Sequence, residues 1–203
     1  PVRRSKAAAE IAIDSWRLSF TGSQPHQTPH LSIGVVRSGN VIGGGDWSDD
    51  RIIPDIVRNL ILERVVEVRN PLSTRPWQHV LDPLSGYIMF AQALFLGADI
   101  SNAFNFGPNL DSNKSVGELV QESLKHWPGA WRIHRDGQQP YEASLLNLSI
   151  DKAYHELGWS PKWDFTSTVE KTMNWYKQVL NNEASVMDCC SEDLNSFLTS
   201  FGL

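Results

Sequence analysis

Three arginines lie close to places where a loop meets a regular element of the chain. They are Arg51, Arg69 and Arg75, and Arg75 stands directly before the rigid proline of Arg75-Pro-Trp. The planar guanidinium group suits phosphate or carboxylate oxygens, which it binds with two parallel hydrogen bonds. An ordinary surface arginine in a loop is the competing interpretation, and it weighs more for Arg51 and Arg69 than for Arg75. Together the three residues predict an anionic ligand.

The histidines favour packing roles over catalysis or metal binding. His79 stands beside Gln78 in an apolar, strand-like run, where a histidine is more often a core residue than a catalyst. His155 lies in a segment typical of an exposed helix, and no other histidine lies at the spacing of metal ligands. The sequence therefore predicts no metal site. It also contains no spacing from which a Cys-His or Ser-His-Asp arrangement can be argued.

A polar, glycine-rich stretch follows the strand predicted over Leu31–Val36. It runs from Arg37 to Asp55 and contains three glycines at positions 43–45. The stretch has neither the Gly-Lys-Ser/Thr of a phosphate-binding loop nor the GxGxxG of a dinucleotide site, and a flexible turn is the alternative reading. A strand that ends in such a loop is nevertheless how an α/β protein presents a ligand site.

The remaining elements alternate between helices and short strands. The helices are predicted over Ser5–Phe20, Pro54–Glu63, Asp82–Leu96 with Asp82 as N-cap, Ser115–His126 with a Ser115/Glu118 capping box, Asp151–Leu157 and Thr166–Leu180. The strands are predicted over Val65–Val68, Ala103–Phe106, Trp131–His134 and Leu145–Leu148. This alternation indicates an α/β fold.

Composition limits the classes of function. With 203 residues, 41% of them hydrophobic, the chain can bury one core. A net charge of −5 argues against nucleic-acid binding, and no apolar run is long enough to span a membrane. The only cysteines are the adjacent Cys189 and Cys190, so no disulfide framework is implied. We therefore expect a cytoplasmic protein that binds neither nucleic acid nor membrane.

Several segments together resemble the extended short-chain dehydrogenase/reductase family of nucleotide-sugar enzymes. They are SKAAAE from Ser5, GNVIGGGDW, DRIIPD, RNPLSTRPWQHVLDPLSGY, FNFGP and LGWSP. Within the family, the combination of RSGNVIGGGDW with RPWQHVLDPLSGY is most similar to the dehydratases that act on CDP-glucose. The resemblance covers roughly Ser5 to Tyr176.

The resemblance implies the C-terminal part of a Rossmann-like α/β enzyme, with the last strands of its parallel sheet and the small substrate-binding domain. Residues 1–180 are expected to form this part, and residues 181–203 a linker and a peripheral helix. In the family, a tightly held NAD oxidises the sugar 4-hydroxyl, water leaves across C5 and C6, and the hydride returns to C6. The full-length protein is expected to form a homodimer.

The resemblance also implies roles for particular residues. Lys6 matches the lysine of a Tyr-x-x-x-Lys pair, so it is expected to be catalytic and to bind the nicotinamide ribose of NAD. Val2 stands four residues earlier, where the family has the tyrosine. The residues expected to bind the nucleotide sugar are Asn40 at the sugar or diphosphate, Arg51 and Arg75 at the diphosphate, Arg69 and Asn105 near the nucleotide, and Glu142.

The family's Gly-rich NAD-binding loop and its acid and base residues for water elimination have no counterpart in the sequence. The chain begins where the catalytic helix is expected, so it is expected to be a truncated copy that is inactive alone. Three functions stay open. They are a CDP-glucose dehydratase by descent, a sibling such as an epimerase on another nucleotide sugar, and a non-catalytic nucleotide-sugar-binding remnant.

Overall fold

The structure is a computed structural model that describes residues 2–22, 28, 31–134 and 147–202. These residues form helices and short strands in alternation, and two of the strand pairs are parallel. The α/β class predicted from the sequence is thereby confirmed. The chain divides into two compact units, of which the first comprises Pro1–Arg37, Ser85–Asn105 and Ile150–Ser160, and the second Ser38–Leu84, Phe106–Ser149 and Pro161–Leu203.

The described helices are α1 (Val2–Phe20), α2 (Ile52–Ile61), α3 (Leu81–Phe95), α4 (Val116–His126), α5 (Asp151–Leu157), α6 (Phe165–Leu180) and α7 (Val186–Thr199). The described strands are β1 (Val35–Ser38), β2 (Asn40–Ile42), β3 (Val66–Val68), β4 (Thr74–His79), β5 (Ala103–Phe106), β6 (Asn113–Ser115) and β7 (Trp131–Ile133). A short 3₁₀ helix covers Leu110–Ser112.

The first unit contains α1, α5, most of α3 and the paired strands β1 and β5 up to their last residues. The pairing begins where the Val35 N–H donates to the Asn102 carbonyl at 2.8 Å. The rings of Phe90 and Phe104 pack edge to face with centroids 4.8 Å apart. A Cβ atom on Gly34 would lie 2.3 Å from the Phe90 ring, so the close approach of this segment to α3 requires glycine.

The second unit contains a three-stranded sheet in the order β2-β4-β6 and a separate parallel pair, β3 with β7. Strand β4 is parallel to β2 and antiparallel to β6. Helices α2, α4 and α6 bury their apolar faces against these strands, because apolar residues recur on one side of each helix. The buried core includes Ile42, Ile53, Ile56, Val57, Leu60, Val66, Val68, Trp77, Leu119, Val120, Phe165, Val169, Met173, Trp175 and Tyr176.

Helices α4, α6 and α7 of the second unit begin at side-chain caps. The predicted capping box of α4 is confirmed, since Ser115 accepts from the Glu118 N–H and Glu118 accepts from the Ser115 N–H. Asp164 caps α6, and Ser185 with Asp188 forms a second capping box at the start of α7. These signals lie within four consecutive residues, and so they are readable from the sequence.

Two local predictions were wrong in detail. The strand predicted over Leu31–Val36 begins only at Val35, and Leu31 is 41% exposed. Asp82 does not cap α3, because the helix starts at Leu81 and the buried Asp82 carboxylate accepts from the Lys162 N–H at 2.7 Å. The strand predicted over Leu145–Leu148 lies partly outside the described residues.

In the part of the chain that the structure describes, no helix is both long and apolar enough to cross a membrane. The His, Cys, Asp and Glu side chains of the same residues form no group of three that could hold a metal ion. Cys189 is buried and Cys190 exposed, and both are free thiols.

Candidate functional site

The glycine-rich loop, defined as residues 43–50, connects β2 to α2 in the second unit. Gly44 lies so close to α6 that a Cβ atom there would be 2.0 Å from Trp175 Cδ2. Gly45 has a φ of +84°, in the left-handed region that favours glycine. These two glycines therefore allow the loop to pack closely against Trp175.

Charged residues surround this loop and the start of α2. Arg51 is the N-cap residue of α2, and Arg69 follows β3 with an exposed side chain whose Nη2 donates to Asp50 Oδ1 at 3.0 Å. The N-terminal end of a helix carries partial positive charge, which adds to the attraction of the two arginines for an anion. An anionic ligand that binds Arg69 would share its guanidinium with Asp50, whose negative charge would oppose the ligand.

Two carboxyl groups here have displaced pKa values with different causes. Hydrogen bonds from the Ser48 side chain and backbone lower the pKa of Asp46, and the charges of Arg51 and Arg58 lower it further. Burial raises the pKa of Asp55 against the attraction of Arg58. Asp46 is therefore ionised at neutral pH and faces the positive charge of Arg51.

Arg75 and Asn40 lie on adjacent strands of the three-stranded sheet. Asn40 is opposite Trp77 in the parallel register of β2 and β4, and residues two apart on a strand share a face. Arg75 and Asn40 therefore share one face of the sheet. Arg75 is only 6% exposed, and its Nη1 donates to the Thr74 carbonyl at 2.7 Å. A buried permanent charge on the same face as an amide side chain suits an anionic oxygen.

His79 is a core residue, and that prediction is confirmed by its 2% exposure. Its Nδ1 accepts from the Leu81 N–H at 3.4 Å, and its Nε2 has no hydrogen-bond partner within the described ranges. Burial lowers the pKa of His79 to about 4, and the nearby charge of Lys171 contributes. The imidazole is therefore neutral at pH 7.

Two of the predicted site residues belong to the first unit. Lys6 is exposed and lies one turn after Val2 in α1. Asn105 Oδ1 accepts from Arg37 Nη1 at 3.2 Å, and Arg37 also forms an ion pair with Glu10, in which Nε donates to Oε1 at 2.6 Å and Nη2 to Oε2. These hydrogen bonds lower the pKa of Glu10. Asn105 is thus part of a polar network that joins α1, β1 and β5.

The predicted site residues are divided between the units. The second unit contains Asn40, Arg51, Arg69 and Arg75, and the first contains Lys6 and Asn105. Glu142 lies outside the described residues. The binding and catalytic roles that the resemblance gave to all of them stay predictions.

Sequence reasoning missed two residues that contact the glycine-rich loop, Arg58 of α2 and Tyr176 of α6. The Tyr176 hydroxyl donates to the Asp46 carbonyl at 2.5 Å, although the two residues are 130 positions apart in the sequence. No local sequence pattern predicts such a contact. Arg58 lies three residues after Asp55 on the predicted helix, a spacing that favours the ion pair they form. That spacing is the sequence signal that could have identified Arg58.

No protein-family model matches the chain, but curated relatives do. The chain is 39% identical over 204 residues to CDP-glucose 4,6-dehydratase of Salmonella typhimurium, with 98% of this chain and 56% of that protein covered. It is 21% identical over 187 residues to dTDP-glucose 4,6-dehydratase of Haemophilus influenzae, with 87% and 51% covered. The chain therefore spans about half the length of these relatives, and the first similarity extends beyond the range Ser5 to Tyr176 expected from the motifs.

Solved structures share the fold. dTDP-glucose 4,6-dehydratase from Bacillus anthracis, in complex with NAD, has a TM-score of 0.66 at 23% identity and covers 88% of this chain and 52% of its own. UDP-glucose 4-epimerase from Stenotrophomonas maltophila has a TM-score of 0.68 at 20% identity, with 89% and 55% covered. The Rossmann-like architecture expected from the sequence is confirmed, over about half of each neighbour.

Proposed function

Because this chain belongs to the extended short-chain dehydrogenase/reductase family of nucleotide-sugar dehydratases and epimerases, we propose that its second unit binds the diphosphate of CDP-glucose. The relative from Salmonella typhimurium, named for CDP-glucose, is considerably more similar to the chain than the relative named for dTDP-glucose. The proposed reaction of the full-length protein is the conversion of CDP-glucose to CDP-4-keto-6-deoxyglucose and water.

The observation that carries the proposal is the buried guanidinium of Arg75. Arg75 carries a permanent positive charge at 6% exposure, and a positive charge in such a low-dielectric setting attracts an anion more strongly than one in water. Its face of the sheet also contains Asn40, which can donate from its amide to a phosphate oxygen. We infer that the diphosphate lies against this face.

Two further arginines support the same ligand. Arg51 carries its charge at the N-terminal end of α2, where the helix itself favours an anion. Arg69 would bind the nucleotide with guanidinium N–H groups beside the one that donates to Asp50. Asn105 and Glu142 stay predicted contacts of the nucleotide sugar.

NAD fits the residues of this chain poorly. Lys6 is exposed and could bind a ribose hydroxyl, but Val2, one helical turn earlier, has no group that exchanges a proton. The chemistry that NAD supplies in the family is hydride transfer at the sugar C4. The activity that we propose for this chain itself is nucleotide-sugar binding.

Titration calorimetry of this chain with CDP-glucose tests the proposal. Arg75→Gln should weaken binding about tenfold or more, because a charge-assisted hydrogen bond contributes about 1.5–3 kcal/mol. Arg51→Gln, at an exposed site, repeats the test without the folding risk of a buried substitution. Arg132→Gln is the matched control, since Arg132 of β7 pairs with Glu67 of β3 and is not a proposed ligand contact. A folded chain that does not bind CDP-glucose would exclude the site.

Asp50→Asn tests the role of Arg69 in the opposite direction. Removing the competing carboxylate should tighten CDP-glucose binding severalfold, and asparagine tolerates the Asp50 φ of 57°. UDP-glucose and dTDP-glucose are titrated in parallel. Tighter binding of either one would assign the chain to a sibling enzyme on that nucleotide.

A further inference from the structure

We propose that Arg58 and Tyr176 are positioning residues, which hold the glycine-rich loop in the shape that presents Arg51 to the ligand. This inference rests on the proposed function, because Arg51 is a proposed diphosphate contact. Neither residue needs to touch the nucleotide sugar. Both act on the backbone of the loop.

Arg58 joins α2 to the loop through a single guanidinium group. Its Nη2 donates to the Trp47 carbonyl, and its Nη1 lies 3.4 Å from the Ser48 carbonyl and 3.0 Å from Asp55 Oδ1. The Asp49 carboxylate lies 3.2 Å from Nη2. The rigid fork of arginine suits this use, because two successive carbonyl oxygens are held by one planar group.

Tyr176 holds the preceding residue of the loop from α6. Its hydroxyl donates to the Asp46 carbonyl at 2.5 Å, and its ring packs edge to face on Trp47 with centroids 5.3 Å apart. Burial, together with the negative charge of Asp46, raises the pKa of Tyr176 to about 12. The hydroxyl therefore keeps its proton and remains a donor at neutral pH.

Three consecutive carbonyl oxygens, those of residues 46–48, thus accept hydrogen bonds from side chains of α2 and α6. Residues 46–48 belong to no helix or strand, so their backbone shape depends on these side-chain hydrogen bonds and on the Ser48 N–H, which donates to Asp46 Oδ1 at 2.9 Å. Asp49 and Asp50 alone separate it from Arg51. Releasing the carbonyls leaves the loop to be ordered during binding, which lowers affinity without removing any ligand contact.

The test compares Tyr176→Phe and Arg58→Lys with the unaltered chain in CDP-glucose titrations. Each loses backbone hydrogen bonds but keeps its ring or its charge, and each should weaken binding about fivefold. Tyr154→Phe and Arg64→Lys are the controls, because both side chains are exposed and neither is among the side chains that bond to the loop carbonyls. If neither Tyr176→Phe nor Arg58→Lys changes the affinity for CDP-glucose, the proposal is overturned, even if the melting temperatures of these variants fall.

Coupling to Arg51 separates positioning from a general loss of stability. In an Arg51→Gln background, Tyr176→Phe should weaken binding less than twofold further, because the residue that it positions has lost its charge. A full fivefold loss in that background contradicts the proposal. In an Arg75→Gln background the fivefold effect should persist, since Arg75 lies on β4.

Amide hydrogen exchange of the free chain gives a readout that needs no ligand. Residues 47–51 should exchange faster in Tyr176→Phe and Arg58→Lys, while β3 and β7 keep their protection. If the unaltered chain does not bind CDP-glucose, the proposed function fails. Exchange then decides alone: faster exchange at 47–51 supports the holding role of Arg58 and Tyr176, and unchanged exchange overturns it.

Discussion

His79 and Asp82 are buried titratable groups of the second unit, and their effects on stability should cancel between about pH 4 and 6. Burial and the charge of Lys171 lower the pKa of His79 from 6.5 to about 4. Burial raises the pKa of Asp82 from 3.8 to about 6, against the N–H groups of Lys162 and Trp163 that donate to it. The two side chains are 2% and 0% exposed.

The two groups affect stability with opposite signs. The unfolded chain protonates His79 near pH 6.5 but the folded chain only near pH 4, so its contribution is present above pH 6.5 and is lost as the pH falls to about 4. The folded chain keeps the Asp82 proton up to about pH 6, so its contribution is present below pH 3.8 and is lost as the pH rises through about 6. Each pKa difference corresponds to on the order of 3 kcal/mol.

Single substitutions should expose each contribution. His79→Phe keeps a ring against Trp163 and removes the titration of the imidazole. Relative to the unaltered chain, it should gain on the order of 3 kcal/mol in free energy of unfolding between pH 6.5 and 4. Asp82→Asn keeps an acceptor for the Lys162 N–H and should lose a similar amount between pH 6 and 4.

Urea unfolding followed by circular dichroism at several pH values between 4 and 7 measures these differences. Only their change with pH counts, because each substitution also has a pH-independent cost. Difference curves that stay flat for both variants would refute the reasoning. They would mean that both groups titrate near their ordinary pKa values and are not buried as described.

Two further predictions concern the stability of the second unit. Gly44→Ala places a Cβ atom 2.0 Å from Trp175 Cδ2 and should lower the free energy of unfolding, measured in urea, by about 1–3 kcal/mol. In a Trp175→Ala background this loss should nearly vanish, because the clashing ring is absent. An equal loss in both backgrounds would contradict the packing argument. Ser115→Ala removes the capping box with Glu118 and should lower the free energy of unfolding by about 1 kcal/mol, measured as a lower midpoint of urea unfolding. An unchanged midpoint would show that the cap is not formed.

Local structure was largely readable from neighbouring residues. The strand Ala103–Phe106, the helix Asp151–Leu157 and the Ser115 capping box have the bounds or contacts that the sequence predicted. Their signals are a short apolar run before Gly-Pro, helix formers and a serine three residues before a glutamate. The strand was wrongly predicted to begin at Leu31, because an apolar run cannot show where a hydrogen-bonded ladder begins. Asp82 was wrongly predicted as a helix N-cap, because its hydrogen-bond partner, Lys162, lies 80 positions away in the sequence.

The motifs alone indicated a resemblance to the extended short-chain dehydrogenase/reductase family and pointed to arginines suited to an anionic ligand. Only the tertiary structure decided that Arg75 is buried on the same face as Asn40, and that Asp50 pairs with Arg69. It also decided that Tyr176 of α6 reaches the loop that leads to Arg51. Residue type and local spacing are properties of adjacent positions, whereas these contacts depend on how distant helices and strands pack.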